Sequence, residues 1–143
     1  MPITIGKKNE SDYTNPLGLL SDCHRRIERF LDVLIEITKQ AGGAALNEDQ
    51  GLALKTTLRY FREAAPKHTL DEEESLFARM LSAADERARS ALGLLDQLHS
   101  DHVQVDACHT EVEMLGSTWL SDRKRHRALE IPGRDESVRE RRA

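Results

Sequence analysis

His68 and Glu72 stand four residues apart in the run Lys67-His68-Thr69-Leu70-Asp71-Glu72. On a helix that spacing brings an imidazole and a carboxylate to one face, about one turn apart. The register also continues Leu54, Leu58, Phe61 and Ala65, so both polar groups point where a core belongs. A carboxylate buried without a partner costs several kcal/mol. A cation is the partner that suits both groups, because imidazole nitrogen and carboxylate oxygen are each metal ligands. Such a site needs donors from more than one helix. His24 and His102 fall on the apolar stripes of two other segments.

The elements that must position these residues are legible from caps and periodicity. Residues 1–14 are polar and read as an arm. Asn15-Pro16 is a helix start, with Asn as cap and Pro at the first helical position. Leu17, Leu20, His24, Ile27, Leu31 and Leu34 follow at spacings of three and four, and Gly42-Gly43 ends the pattern. Asn47 and Gln50 form a capping box for a second helix, whose stripe continues past Glu72 to Leu76 and Met80. Pro66 lies within it, removes a backbone donor and predicts a kink just before His68. Ser82 and Asp85 offer caps for a third helix with Ala91, Leu95, Leu98, His102, Val105, His109, Val112, Gly116 and Trp119 inward, reaching to about Leu120. Residues 122–143 form a basic tail, with eight Lys/Arg against five Asp/Glu, interrupted by Pro132-Gly133.

A chain of 143 residues is one domain by size, and its Ala, Leu, Glu and Arg content with few aromatics favours helix over sheet. The expected fold is an all-α, antiparallel, up-down bundle of three clear long helices with a poorly defined fourth element, spanning residues 15–121. A net charge of −4 argues against general nucleic-acid binding, and the basic end reads as solvated. No apolar signal core opens the chain, and no apolar run approaches membrane-spanning length. Cys23 and Cys108 show no disulfide spacing and suit a reducing cytoplasm as free thiols, the expected location.

Residue counts give heights in such a bundle. At 1.5 Å per residue, His24 lies roughly 26 Å before the end of its helix, and the same distance past Asn47 ends within a turn of His68. Counting back from the second turn brings the third helix to the level of Gln97, beside His99 and His102. His102 is the better inward candidate, flanked by Leu98 and Val105. His99 sits at the stripe's edge, as an outer hydrogen-bond donor or a solvated residue. His109, about 15 Å away, repeats the spacing with Glu113, and His102 with Asp106 is similar. These spacings arise often by chance on charged helices. A lone imidazole on an apolar face is ordinarily a core residue with a satisfied partner; three at one level beside a carboxylate are not. Glu73 and Glu74 read as an ordinary acidic helix face, the cysteines as packing residues, and Trp119 as a packing anchor.

Here the chain resembles the hemerythrin-like (HHE cation-binding) family. The resemblance is carried by Asp22-Cys23-His24-Arg25-Arg26-Ile27-Glu28, by His68-Thr69-Leu70-Asp71-Glu72-Glu73-Glu74-Ser75-Leu76-Phe77 and by Asp101-His102, over about residues 15–120. It implies a four-helix bundle with a non-haem iron site, commonly di-iron with bridging carboxylates, that binds O₂, NO or related oxidants, handles iron or senses redox state. By position it implies His24, His68, Glu72 and His102 as metal ligands. The chain departs from the pattern at the fourth helix. The only downstream match is His126-Arg127-Ala128-Leu129-Glu130, which would reach His102 only if the third helix ended by Gly116 and turned back. Otherwise the fourth wall is absent or comes from another subunit, and a homodimer covering the open face is expected.

The expected function is therefore that of an iron protein, mono- or di-iron, which binds or senses a small diatomic ligand such as O₂ or NO rather than turning over a substrate. A four-ligand site also accepts zinc. The alternatives are a metal-free helical interaction module that has lost the site, and a di-iron repair or peroxidase-type enzyme. No membrane partner is expected.

Overall fold

The computed structural model describes residue 11, residues 14–83 and residues 85–129, the last six as helical backbone only. Among them every regular element is helical: α1 (Pro16–Ala41), α2 (Glu48–Glu63), α3 (Ala65–Leu70), a π-helical turn (Asp71–Phe77), α4 (Ala78–Ser82) and α5 (Glu86–Leu129). The expected all-α fold is what forms. It has three rods, because α2, α3, the π turn and α4 follow one another as a single interrupted column packed against both α1 and α5.

The ends of the rods are set by local chemistry. Asn15 accepts the Gly18 N–H at 3.0 Å, and Pro16 needs no donor there. Gly42 takes the left-handed conformation (φ 54°) that a C-terminal cap requires, and its N–H bonds Thr38 O. Asn47 and Gln50 satisfy each other's backbone N–H groups at 2.8 and 3.0 Å. Asp85 accepts the Arg87 N–H at 2.9 Å where α5 begins.

The column breaks where Pro66 predicts. α2 ends at Glu63, Ala64 departs to φ −103°, and α3 starts at Ala65. The π turn that follows has no sequence signature. Its wider winding accommodates one extra residue, so after His68 and Glu72 the next buried position is Phe77; the expected Leu76 is only half-buried.

The apolar core occupies one end of the molecule. Ile37, Leu58 and Thr57 are the most deeply buried side chains, and Val33, Leu46 and Leu54 join Ile37 and Leu58 in one cluster. Phe30, Phe61 and Ala65 form a second cluster nearer the break. Gly116 is buried against Leu58, whose side-chain carbons would lie 2.9–3.4 Å from any Cβ placed there. The glycine thus brings two rods close together and does not interrupt α5. Trp119 anchors this end, donating its indole N–H to Ala44 O at 3.1 Å.

The expected face of α1 needs correction in part. Ile27 and Leu34 pack on the core as expected, but the buried apolar positions are Phe30, Val33 and Ile37, while Leu17 and Leu31 are 68% and 42% exposed. Leu98 and Val105, which flank His102 on α5, are exposed as well. The strips carrying His24 and His102 therefore face outward around the histidines, with no fourth helix over them among the described residues. α5 runs without interruption to Leu129, so the turn back at Gly116 does not occur. Of His126 only the helical backbone is described, and Glu130 lies outside the described residues.

Candidate metal centre

His68 reaches its place through the break that Pro66 imposes, and Glu72 one turn later through the start of the π turn. Both are buried, at 7% and 9% exposure. α1 brings His24 alongside, its ring edge-on to that of His68 with centroids 4.5 Å apart. α5 brings His102 from the other side. The Nε2 atoms of His24 and His68 stand 3.1 and 3.2 Å from Glu72 Oε1, and Nε2 of His102 stands 3.1 Å from Oε2. Three imidazoles from three rods thus meet at one carboxylate, two on one oxygen and one on the other. Donor atoms of His24, His68 and Glu72 lie within 4.8 Å of one another, a spread that one cation could bridge; His102, the fourth expected ligand, is not in that tighter group and joins through Glu72 Oε2.

The electrostatics suit a cation better than a proton. Neither ring nitrogen of His68 makes a hydrogen bond; its approach to Glu72 is close but not aligned. Leaving such a group unpaired costs about 1–3 kcal/mol. Burial pushes the His68 imidazole below its ordinary pKa of 6.5, the nearby Glu72 charge offsetting part of that shift. The ring is therefore neutral at physiological pH, with a lone pair free for coordination. His24, by contrast, has its side chain 56% exposed and forms the solvent edge of the cluster.

Glu73, read from the sequence as solvated, belongs to this arrangement. Its Oε1 lies 2.8 Å from Nδ1 of His102 and 2.9 Å from Nδ1 of His99. Those two hydrogen bonds hold its carboxyl below the usual range. Glu73 is reached because α5 passes beside the π turn and brings His99 and His102 to it; nothing in Glu72-Glu73-Glu74 announces those partners. Phe77 lies parallel to the His102 ring at 6.2 Å and closes the far side.

The other candidate spacings serve structure. His109 packs on Phe61, with centroids 4.8 Å apart, and burial lowers its pKa. Glu113 pairs with Arg62 at 2.5 Å. Asp106 is exposed on the groove of about 250 Å³ that runs from His109 to His102 and Glu73 between α3 and α5. At the start of α1, Asp22 accepts the Ser11 N–H and pairs with Arg25, which lowers its pKa to about 2. Asp22 thereby holds Ser11 and Arg25 and not the cluster. Cys23 and Cys108 form no disulfide. No helix among the described residues is long and apolar enough to cross a membrane.

A family model, the Hemerythrin HHE cation binding domain, matches residues 15–130. An uncharacterized protein of Haemophilus influenzae is 29% identical over 119 residues, a stretch that makes up 80% of this chain and 66% of that protein. The chain thus spans just under two thirds of that relative's length. No solved structure matches.

Proposed function

The chain belongs to the hemerythrin HHE cation-binding family, and from that footing we propose that it binds non-haem iron through His24, His68, Glu72 and His102 and uses it to bind or sense O₂, NO or a related oxidant. The observation that carries this reading is the buried His68 ring, neutral and unpaired on both nitrogens, facing a carboxylate shared by two further imidazoles. Neutral imidazoles suit Fe(II), and a carboxylate offsets the added charge of Fe(III). Glu72 meets two imidazoles through Oε1 and one through Oε2, a division that accommodates one iron or a carboxylate-bridged pair.

Each group has a distinct part. Burial keeps His68 deprotonated, Glu72 supplies the balancing negative charge, and His24 leaves the cluster open to small molecules from solvent. When bound, iron would supply one-electron redox chemistry and coordination positions beyond the four protein donors. No nucleophile–base pair appears among these residues, so ligand binding or sensing fits better than turnover. The apolar residues left exposed beside His24 and His102 favour a second copy covering that side.

Elemental analysis and the absorption spectrum after anaerobic Fe(II) loading and oxidation test the proposal. One or two irons per chain, lost in His68→Ala, is the expected result. Zinc alone would change the metal and remove the redox role. Protein that takes up no metal, with a melting temperature indifferent to chelator, would point to a helical interaction module. Sustained consumption of peroxide or NO by the loaded protein would make it an enzyme.

A further inference from the structure

Glu73 is a carboxylate beside the cluster that hydrogen-bonds one of its members. Its Oε1 receives the Nδ1 of His102, whose Nε2 faces Glu72 on the opposite side of the ring. The same oxygen receives the Nδ1 of His99, which stands on the outer surface of α5 with its side chain 66% exposed. A line of three groups therefore leads from solvent to the cluster: His99, Glu73, His102.

Chemistry dictates what such a line does. A neutral imidazole has one N–H and one lone pair. His102 has a carboxylate at each nitrogen, but only the shorter contact, Glu73 at Nδ1 (2.8 Å), is aligned as a hydrogen bond, whereas Glu72 lies 3.1 Å from Nε2 without that alignment. The proton therefore belongs on Nδ1, and Nε2 presents its lone pair. The hydrogen bond fixes the ring's rotation and makes Nε2 more basic. His102 needs this help most. His68 is locked by burial, whereas the side chain of His102 is 17% exposed and borders an open groove. Within the π turn Glu72 is buried inside the cluster and Glu73 is half-buried at its outer edge.

We propose that Glu73 is a positioning residue for the metal centre: it accepts the His102 Nδ1–H, sets that ring's tautomer and orientation toward Glu72, and is itself braced by His99. This inference rests on the iron-binding reading, so its test must separate the two.

Co(II) serves as the probe, because its visible absorption reports ligand number and geometry. Titrations of the full chain compare wild type, His68→Ala, Glu72→Gln, Glu73→Ala, Glu73→Gln and His99→Ala, with circular dichroism confirming helical content in each. The expected result is His68-dependent binding in wild type, weakened about 10- to 100-fold in Glu73→Ala. Glu73→Gln should recover most of the affinity, since its amide oxygen still accepts the Nδ1–H, and His99→Ala should lose only a few-fold. Nitrogen-15 NMR of the metal-free protein gives an independent readout: His102 should carry its proton on Nδ1 in wild type and Glu73→Gln, and lose that preference in Glu73→Ala. Should Glu73→Ala misfold, the NMR of Glu73→Gln and His99→Ala still decides, because wild-type His102 with its proton on Nε2 would contradict the proposal. His68-dependent binding unaffected by Glu73→Ala would overturn the inference and leave the iron reading intact. A loss in Glu73→Gln as large as in Glu72→Gln would make Glu73 a ligand, which also overturns a positioning role. No His68-dependent binding in wild type would remove the iron reading itself.

Discussion

The two ends of the interrupted column are built on opposite plans. Around Leu58 the rod is a regular helix with a capping box, and its neighbours Ile37, Leu54 and Thr57 are 0–3% exposed. Around Glu72 the same rod is a six-residue helix, a π turn and a five-residue helix, and its buried residues are His68 and Glu72 beside Ala65 and Phe77. The first end buries mainly hydrocarbon, with the Thr57 hydroxyl an isolated unpaired polar atom in it, and satisfies its backbone. The second buries an imidazole and a carboxylate together, the imidazole without a hydrogen bond among the described residues, and winds irregularly there. Stability and chemistry are thus divided along one rod, with π winding at the chemical end, where such bulges are frequently found. Substitutions at the apolar end should change folding and spare the metal, and those at the polar end should do the reverse.

The largest effect expected is from Leu58→Ala, which removes a 2%-exposed side chain from the centre of the core. It should cost about 2–5 kcal/mol in chemical denaturation, while metal affinity of the folded fraction stays near wild type. Next comes the metal itself. At a free concentration a hundred times Kd, iron should stabilise the wild-type chain by about 2.7 kcal/mol and His68→Ala by nothing measurable. Gly116→Val should cost about 1–3 kcal/mol by forcing Leu58 out of its place. Trp119→Phe keeps the ring but leaves Ala44 O without its donor, and should cost about 1 kcal/mol.

The smallest effect is a pH slope in the metal-free protein. Burial lowers the pKa of His68 and His109 below 6.5. Between the folded and unfolded values the unfolded chain holds a proton that the native state does not, so acid favours unfolding. Melting temperature should therefore fall as pH drops below about 6.5, and His109→Phe should flatten part of that slope. Rising stability over the same interval would show these rings to be protonated in the native state.

Features set by neighbouring residues were legible in the sequence. The Asn15, Asn47–Gln50, Gly42 and Asp85 caps, and the break at Pro66, each depend on chemistry within a few positions. The meeting of His24, His68, Glu72 and His102 at one level was reachable by counting residues, because antiparallel rods joined by short turns convert sequence distance into height. What depended on winding was not legible. Nothing in Asp71–Phe77 distinguishes a π turn from an α-helix, so Phe77 takes the buried place that regular winding gives to Leu76. That Glu73 meets His99 and His102 depends on where α5 passes, which no neighbouring residue sets. The face of α1 is legible in part. Ile27 and Leu34 pack on the core and His24 meets Glu72 as that strip requires, while Leu17 and Leu31 on the same strip are exposed and Phe30, Val33 and Ile37 take the buried apolar places.

Anomalous diffraction from crystals of the iron-loaded chain, recorded at the iron absorption edge, tests the account most directly. It predicts one or two peaks between the three imidazoles and Glu72, with Nε2 of His24, His68 and His102 and the Glu72 oxygens about 2.0–2.2 Å away, as is usual for such donors on a first-row metal. A peak elsewhere on the molecule, or a His68 ring that bonds to protein atoms alone in fully loaded crystals, would contradict it.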